Sequence, residues 1–470
     1  MASIYIETHG CQMNDADSQY IAQRAASAGY TVAERPEDAS VLLLNTCTVR
    51  DSAEARAYGR IGQWKAIKVV DPHVKVIVAG CLAEGDRERM RALAPHVDAI
   101  FGTRELRRLG DQLAAWRDDF GDDDVTLARE LEKPMGGVGE GVAGPYDFLR
   151  AFVNVQRGCS YYCTFCIVPH VRGRFDHRPL AEILAEVRLK VAAGAREIML
   201  VGQTVNAYKE PATGADFADL CALVAAEPAV ERLSFVTSHP KDLNEKLARA
   251  LAAIPQMNPR FHLAVQSASN VMLRRMNRKY TIEQYLERVA MFLDYNPGWA
   301  ITTDMIVGFP GETEADFERT LALAATEMFA QAYTFVYSPR RGTPAAHWEQ
   351  VDAAVAGDRL RRLAAAQNVA CRAYHDRKIG SQVRALITGT SRKNPAMLSA
   401  KTTDNVTVVF PTIDERPDPE HPWVDVRIES AFVWGVKGTA VGRAARYDDL
   451  AAPVAEPLTQ SGLVDLLVLR

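Results

Sequence analysis

The sequence predicts an α/β protein with three units: an N-terminal doubly wound parallel-sheet domain, a central partial (β/α)6 TIM-like barrel and a small C-terminal all-β barrel. Two observations support this architecture. Apolar runs of strand length alternate with helical segments through most of the chain, which is typical of parallel sheets with right-handed crossovers. From about residue 381, short strands separated by turn residues replace this alternation, as in small β-barrels. The length of 470 residues is enough for about two to four domains.

The N-terminal unit contains three apolar runs that end in a similar way. They read SIYIETHGC, VLLLNTC and VKVIVAGC, and the segments between them, such as 17–28 and 53–69, have helical character. Runs rich in Val, Ile and Leu are typical of strands buried on both faces. Because the functional crevice of such a sheet lies beyond the carboxyl ends of its strands, we expect Cys11, Cys47 and Cys81 to converge there. The alternative is that they are three small buried hydrophobic side chains.

Six further strand candidates make up the central unit. They read FVNVQ, EIMLVG, RLSFVTS, RFHLAVQS, AITTDMIVG and AYTFVYS, and helical segments such as 180–193 and 282–293 lie between most of them. A full eight-unit barrel usually needs about 250 residues. Six units in a shorter stretch therefore favour an incomplete barrel.

Composition indicates the domain boundaries. The acidic stretch 118–124 and the glycine-rich stretch that follows it are typical of a linker. The predicted units are an N-terminal domain at 1–133, a linker at 134–146, the barrel at 147–375, the all-β unit at 376–443 and a C-terminal tail at 444–470.

Composition also excludes some classes of function. The net charge is −4, so any nucleic-acid surface must be a local patch. No apolar run approaches the about 18 residues that cross a bilayer, and the N-terminus lacks the pattern of a secretory signal. We therefore expect a cytosolic protein that does not bind membranes. In a reducing cytosol, its eight cysteines are better explained as metal ligands or redox groups than as disulfides.

The strongest chemical signal is the sequence CSYYCTFC, which places Cys159, Cys163 and Cys166 within eight residues, directly after a predicted strand. A structural zinc site needs four protein ligands, and no histidine follows at finger spacing. A 4Fe–4S cluster held by three cysteines keeps one iron open for a ligand. The spacing therefore favours a reactive iron–sulfur cluster over the alternatives, a structural zinc turn or packed thiols.

Several longer motifs resemble those of one family. They read THGCQMN, NTCTVR, YCTFCIVP, VRGR, VGQTVNAY, SHP, HLAVQSAS, TTDMIVGFPGETE and YSPRRGTPAA. Together with the cysteine spacing, they resemble the radical S-adenosylmethionine (SAM) methylthiotransferase family, and most closely its branch that acts on N(6)-dimethylallyladenosine in tRNA. The resemblance extends over about residues 3–443.

The resemblance implies a radical SAM barrel, a C-terminal RNA-binding barrel of the TRAM type and two 4Fe–4S clusters. Cys159, Cys163 and Cys166 would hold the cluster that binds and cleaves SAM. Cys11, Cys47 and Cys81 would hold a second cluster that provides sulfur. The implied reaction places a methylthio group on carbon 2 of the adenine beside the tRNA anticodon and uses two SAM molecules. The implied electron donor is a protein such as a flavodoxin or ferredoxin, and we expect a monomer.

Candidate cofactor contacts lie at predicted strand ends, where barrel enzymes bind their ligands. Simple packing is the alternative at each position. We predict SAM contacts at Phe165, Gly202, Gln203, Gln266, Ile306 and Val307. In contrast, we interpret Glu312 as a carboxylate in the first turn of a helix, favoured there by the helix dipole, and His9 and His239 as structural.

Two basic clusters are candidate RNA contacts. Between Cys371 and Lys401 the chain has seven Lys or Arg and one acid, which suits phosphate binding; a solvated charged face is the alternative. A second cluster follows HLAVQS near the predicted barrel mouth. The predicted RNA-binding residues are Arg274, Arg275, Arg278, Lys279, Arg384, Arg392, Lys393 and Lys401.

Some positions depart from the usual family motifs. They are Phe175 and His177 after VRGR, Ala264 and Ala268 in HLAVQSAS, and Lys401 in the C-terminal unit. These departures concern the identity of the substrate and the binding of RNA. They do not concern the cluster chemistry, because all six candidate ligand cysteines are intact.

Three functions are consistent with the sequence. The first is a tRNA methylthiotransferase for a prenylated adenosine. The second has the same chemistry but acts on threonylcarbamoyl-adenosine or a ribosomal-protein aspartate. The third is a zinc-stabilised RNA-binding protein without catalysis.

Overall fold

The computed structural model describes residues 2–48, 51–117, 120, 149–391, 393–412 and 421–444. Its N-terminal domain is a five-stranded parallel sheet in the order β2–β1–β3–β4–β5, which confirms the predicted doubly wound sheet. The elements are β1 Ser3–His9, α1 Gln12–Ser27, β2 Thr31–Val32, β3 Val41–Thr46, α2 Asp51–Val70, β4 Lys75–Gly80, α3 Cys81–Gly85, α4 Arg87–Leu93, β5 Ala99–Phe101 and α5 Leu109–Arg117.

Apolar packing on both faces explains why the central strands of this sheet read as continuous hydrophobic runs. Ile21 of α1 packs with Leu43 on one face, and Trp64 of α2 packs with Leu44 on the other. With both faces covered, the carboxyl edge of the sheet is left for function.

The central domain confirms the predicted incomplete barrel. Six of its strands form two three-stranded parallel sheets in the orders β10–β9–β6 and β11–β12–β13, and a bridge between Ser238 and Leu263 connects them. Strands β7 and β8 form a separate antiparallel pair. The elements are β6 Arg150–Asn154, β7 Gln156–Arg157, α6 Val168–Val171, β8 Asp176–His177, α7 Leu180–Ala192, β9 Glu197–Val201, α8 Phe217–Ala225, β10 Arg232–Phe235, α9 Glu245–Ala252, β11 Arg260–His262, α10 Asn270–Arg275, α11 Ile282–Tyr295, β12 Ala300–Val307, α12 Glu314–Ala324, β13 Phe329–Val336 and α13 Ala353–Asp376.

Helix α1 of the N-terminal domain covers the edge of the barrel at β6. The Gln19 side chain accepts a hydrogen bond from the Phe152 backbone N–H at 3.3 Å, so an edge group of the barrel is paired. Met13 packs with Met199 and Val201 of the neighbouring strand β9. An uncovered edge is a site for unwanted strand pairing, and here the covering element also fixes the N-terminal domain against the barrel.

The C-terminal domain is a closed five-stranded barrel in the order β14–β15–β16–β18–β17, as predicted. Its strands are β14 Gln382–Ser391, β15 Asn394–Thr402, β16 Thr407–Pro411, β17 Trp423–Phe432 and β18 Gly435–Ala444. Asp404 connects this barrel to the end of α13, because its carboxylate accepts from the Tyr374 hydroxyl at 2.6 Å and pairs with Lys378 at 2.7 Å.

A buried ion network also joins this barrel to the central domain. Glu197 lies 2.6 Å from an Arg232 nitrogen and 3.4 Å from Arg150, and Arg232 donates to the backbone carbonyl of Thr402 at 3.1 Å. Burial alone would raise the pKa of Glu197, but the two arginines lower it to about 2. The Glu197 carboxylate thus neutralises the buried Arg232, and the Arg232 side chain joins the central domain to the C-terminal barrel.

Some predicted segments lie outside the described residues. They are the linker at 134–146 and the tail beyond residue 444. Among the described residues, no helix combines the length and the apolar character needed to span a bilayer.

We predict that Glu197→Ala lowers the free energy of unfolding by about 3–5 kcal/mol, because the mutation leaves buried cations unpaired. Denaturant unfolding followed by circular dichroism measures this change. Because its pKa is lower in the folded protein, Glu197 contributes full stability above about pH 4.5, and this contribution is lost as the pH falls toward about 2.

The matched control is Glu245→Ala, which removes an exposed carboxylate paired with Arg249 and should leave the unfolding midpoint unchanged. Equal midpoints for Glu197→Ala and the wild type would contradict this assignment.

Candidate metal centre and ligand pocket

The three closely spaced cysteines, Cys159, Cys163 and Cys166, form the barrel trio. They lie in the loop between β7 and α6, and backbone hydrogen bonds fix this loop. The Cys159 N–H donates to the carbonyl of Gly173 at 3.0 Å, and the Cys166 N–H donates to that of Cys163 at 3.0 Å. Gly158 begins the loop at φ 71°, where a side chain would meet the Arg174 carbonyl. The turn into the trio therefore requires glycine.

The barrel trio lies among groups that suit a metal cluster: Cys163 is buried, and Cys159 and Cys166 are partly exposed. Burial raises the pKa of Cys159, and burial together with the neighbouring Cys163 raises that of Cys166 to about 12. Without a cation these thiols stay protonated; a bound metal would displace their protons. Arg278 donates to the Cys163 sulfur at 3.5 Å and supplies the positive charge beside it.

Arg278 was predicted to contact RNA, and that prediction is wrong. The residue is 5% exposed, and it donates to the Ala264 carbonyl at 2.7 Å as well as to Cys163. It supports the cysteine loop from within the protein. A cluster of Lys and Arg in the sequence does not show which of their side chains are buried.

Cys11, Cys47 and Cys81 form the N-terminal trio, and the topology brings them to one edge as predicted. They follow β1, β3 and β4, which are neighbouring parallel strands. Cys11 is the exposed member, and Cys47 and Cys81 are buried. A hydrogen bond between Cys11 and Cys47, assisted by the charge of Arg172, lowers the pKa of Cys11 to about 6.

Both trios offer the donor type and number that a three-cysteine cluster requires. Each provides three thiols, and each has one buried guanidinium that donates to a sulfur: Arg278 to Cys163 and Arg172 to Cys81. Within the described ranges, no three Cys, His, Asp or Glu side chains are drawn together closely enough to form a finished metal site. The donor sets fit 4Fe–4S clusters in chemistry.

Residues 171–173 touch both trios, and we call them the bridging segment. Gly173 accepts from the Cys159 backbone, as described above. Arg172 donates to the Cys81 sulfur at 3.1 Å, and the Val171 carbonyl accepts from Thr103 of the N-terminal domain at 2.6 Å. The sequence contained this segment within VRGR, but the motif alone did not indicate that it lies between the trios.

Unpaired polar groups surround the strand ends beside the barrel trio. The amide groups of Asn154 and Gln203 and the Gln266 side-chain oxygen are buried without a hydrogen-bond partner in the protein. Gln266 also adopts φ 70°, which is uncommon outside glycine. Buried polar groups are normally hydrogen-bonded, so these three side chains fit a polar ligand. Two of them, Gln203 and Gln266, were predicted as SAM contacts.

His239, interpreted from sequence as structural, has an unpaired nitrogen in the same region. Its Nδ1 accepts from the Lys241 backbone at 3.1 Å, and its Nε2 is buried without a partner. Burial, assisted by nearby cations, lowers its pKa to about 2. The ring is therefore neutral, and Nε2 carries a proton that a ligand can accept. In the sequence, only the position of the SHP motif after a predicted strand could have indicated a ligand contact at His239.

The remaining predicted cofactor residues have different environments. Phe165 and Ile306 are half-buried and pack with a cluster that includes Phe309. Val307 has its side chain in the barrel core, and its carbonyl accepts from the Tyr337 N–H at 2.8 Å.

Gly202 lies closely against Gln156, and an added Cβ would approach that side chain to 2.8 Å. The predicted cofactor contacts of Gly202, like those of Phe165, Ile306 and Val307, stay predictions.

Glu312 differs from its predicted role. Helix α12 begins only at Glu314, and the buried Glu312 carboxylate turns back to accept from the Gly308 N–H at 2.7 Å and from Arg359 at 3.0 Å. Burial raises its pKa to about 7. The interpretation as a first-turn helix carboxylate is wrong, because the side chain closes the GFPGE turn instead.

One more predicted RNA contact faces inward, and another is partly buried. Arg384 is 1% exposed and pairs with Asp425 at 3.3 Å. Lys401 donates to the Thr407 hydroxyl at 2.8 Å, and burial lowers its pKa to about 7. The prediction for Arg384 is wrong, because its charge is buried in the pair with Asp425. The RNA contact of Lys401 stays a prediction, because its side chain is partly exposed. Arg392 lies outside the described residues; the exposed members are Arg274, Arg275, Lys279 and Lys393.

A histidine–aspartate pair on β11 and β12 was missed by the sequence analysis. His262 lies 3.3 Å from Asp304 and 3.1 Å from Thr302, and both members of the pair are partly exposed. They occur in HLAVQS and TTDMIVG, whose strand pattern alone gave no reason to single them out.

Two family models match parts of the chain. The model described as "Radical SAM superfamily" matches residues 153–324, and the model described as "Uncharacterized protein family UPF0004" matches residues 3–102. The first spans most of the central domain and the barrel trio, and the second spans the sheet with the N-terminal trio.

Among solved structures, a radical S-adenosylmethionine methyltransferase, TsrM, from Kitasatospora setae with cobalamin and a [4Fe-4S] cluster bound is similar in fold. It has a TM-score of 0.50 and 16% identity, and the match covers 74% of this chain and 77% of that one.

Curated relatives match over nearly the whole chain. A tRNA-2-methylthio-N(6)-dimethylallyladenosine synthase from Desulfitobacterium hafniense is 40% identical over 86% of this chain and 90% of its own length. Proteins of the same name from Moorella thermoacetica and Acidithiobacillus ferrooxidans are each 39% identical, over 93% and 97% of this chain and 98% and 100% of their own lengths. The chain therefore belongs to the family of the tRNA-2-methylthio-N(6)-dimethylallyladenosine synthases, within the radical SAM superfamily.

Proposed function

We propose that this protein is a radical SAM methylthiotransferase that inserts sulfur at carbon 2 of N(6)-dimethylallyladenosine beside the tRNA anticodon and methylates it, using two SAM molecules. The observation that carries the proposal is the position of two cysteine trios on either side of the bridging segment. One trio suits a cluster that cleaves SAM, and the second trio would hold a cluster that supplies sulfur. The names of the relatives support this substrate.

The barrel trio would hold the cluster at which SAM is cleaved. When bound there, the cluster would supply the electron that breaks a sulfur–carbon bond of SAM and so generates a 5′-deoxyadenosyl radical. The protein's own contribution is to bind and orient. Arg278 fixes Cys163, and the unpaired amides of Gln203 and Gln266 offer hydrogen bonds to the polar groups of SAM.

The apolar residues near the loop restrict water. Phe165 and Ile306 pack together with Phe309, and a reactive radical needs a dry site. His239 adds a hydrogen-bond donor, because burial keeps its imidazole ring neutral. None of these roles requires a general base, which agrees with abstraction of a hydrogen atom as the first step.

The exposed cations would guide the RNA. Arg274, Arg275 and Lys279 follow α10 or lie at its end, beside the loop of the barrel trio, since Thr164 donates to the Arg275 carbonyl at 2.9 Å. Cations at such a mouth bind phosphate without reading sequence. The target base must leave its stack in the RNA to reach the inside of the barrel, as in other enzymes that modify bases. A flavodoxin or ferredoxin would deliver the electron. The protein would act as a monomer in the cytosol.

Nucleoside mass spectrometry of tRNA from cells that lack the gene tests this function. We expect loss of the methylthiolated nucleoside and accumulation of N(6)-dimethylallyladenosine, with recovery when the wild-type gene is returned. Unchanged levels of the methylthiolated nucleoside would exclude the proposed substrate. A change confined to the levels of threonylcarbamoyl-adenosine derivatives would show that these nucleosides are the substrate instead.

We predict that Cys159→Ala abolishes reductive cleavage of SAM, measured as 5′-deoxyadenosine formed by the anaerobic enzyme with dithionite. The mutation removes one of three ligands of the barrel trio. The matched control is Cys221→Ala, which changes a thiol buried in the hydrophobic core of the same domain and should retain cleavage. Equal losses in the two variants would show that the cysteines are assigned wrongly.

A further inference from the structure

Arg172 is a buried cation to which the proposed reaction gives no role. It follows α6 directly, six residues after Cys166, and its side chain reaches from the central barrel into the N-terminal domain. The side chain is 5% exposed. Burying a charge is costly unless it is paired and hydrogen-bonded, so its partners indicate its purpose.

Both partners of Arg172 belong to elements of the N-terminal trio. The Nε–H donates to the Cys81 sulfur at 3.1 Å, and Nη2 donates to the Asp17 carboxylate at 2.8 Å. Asp17 is 2% exposed and lies on α1, the helix that Cys11 caps. One planar guanidinium thus fixes a ligand thiol relative to the helix that carries a second ligand.

An ion pair between domains would not need the contact to sulfur. Asp17 has a second cation within reach, because Arg157 approaches the same carboxylate at 3.9 Å from a more exposed position. The distinctive feature of Arg172 is the N–H directed at the thiol. The planar fork of arginine allows two partners at fixed angles, which lysine cannot reproduce.

Hydrogen bonds to cysteine sulfur are one of the means by which proteins set the potential of an iron–sulfur cluster. Such a bond withdraws electron density from the sulfur and favours the reduced cluster. Contacts to metal ligands also orient them, and their loss commonly costs about 10–100-fold in affinity or activity.

We propose that Arg172 is a positioning residue of the second cluster: it fixes the Cys81 sulfur and raises the reduction potential of the cluster that Cys11, Cys47 and Cys81 would hold. The inference rests on the proposed function, because it requires that second cluster. It extends the proposal by making the bridging segment a determinant of the chemistry in the N-terminal domain.

The test is a potentiometric titration of the full-length protein with both clusters, followed by electron paramagnetic resonance. Added SAM identifies the barrel-trio signal, because SAM binds the open iron there, and the other signal reports the second cluster. The variant is Arg172→Met combined with Asp17→Asn, which removes the cation without leaving an unpaired buried carboxylate. Arg172→Lys is measured beside it and keeps the charge.

We expect the second cluster of the double variant to have a more negative midpoint potential, with the barrel-trio signal unchanged. Methylthiolation should fall by about tenfold or more, while SAM cleavage persists. If the double variant does not fold, Arg172→Lys provides the test. The second cluster of this variant should again have a shifted midpoint potential. An unchanged midpoint in the folded variants would overturn the role of Arg172. A wild-type protein with only one cluster signal would instead overturn the proposed function.

The matched control is Arg104→Met. Arg104 is exposed and lies near Gly173 at the same domain interface. Arg104→Met removes one positive charge from this interface without removing a bond to a ligand sulfur, and both midpoints should stay at their wild-type values. A shift as large as that of the Arg172 variants would mean that charge alone, and not the bond to Cys81, sets the potential.

Discussion

The contact of the bridging segment with both cysteine trios is the constraint on which the arrangement of this protein depends. The N-terminal trio lies at the carboxyl ends of β1, β3 and β4, and the barrel trio lies in the loop that follows β7. Residues 171–173 receive a backbone hydrogen bond from Cys159 on one side and donate to Cys81 on the other. If this segment were displaced, the loop of the barrel trio would lose the Gly173 acceptor and the N-terminal trio would lose the hydrogen bond to Cys81.

Buried charge is the common theme of the domain contacts. Arg172 joins the central domain to Cys81 and Asp17 of the N-terminal domain. Arg232, paired with Glu197, joins the central domain to the C-terminal barrel. Such groups are stable only when their partners are in place. The domains therefore hold one another in a defined position, which suits the proposed reaction.

The sequence predicted the fold class and the two trios because both follow from strong local rules. Strand ends in parallel sheets meet at one edge, and CxxxCxxC is specific in its spacing. The sequence did not predict side-chain direction: Arg278 and Arg384 lie within basic stretches yet are buried. Along a strand, neighbouring residues face opposite sides, so charge density alone cannot separate a phosphate contact from a buried pair. The roles of Glu312 and His239 depend on contacts between distant segments, which no short motif reveals.

The central claim is that the six cysteines form two separate cluster sites in one body, and iron analysis of paired variants tests it most directly. Wild-type protein reconstituted without oxygen should contain about eight irons per chain. Replacing either Cys11, Cys47 and Cys81 or Cys159, Cys163 and Cys166 by alanine should leave about four irons, with the spectrum of the remaining cluster preserved. Wild-type iron in either triple variant, or a colourless wild-type protein that holds zinc, would contradict the account.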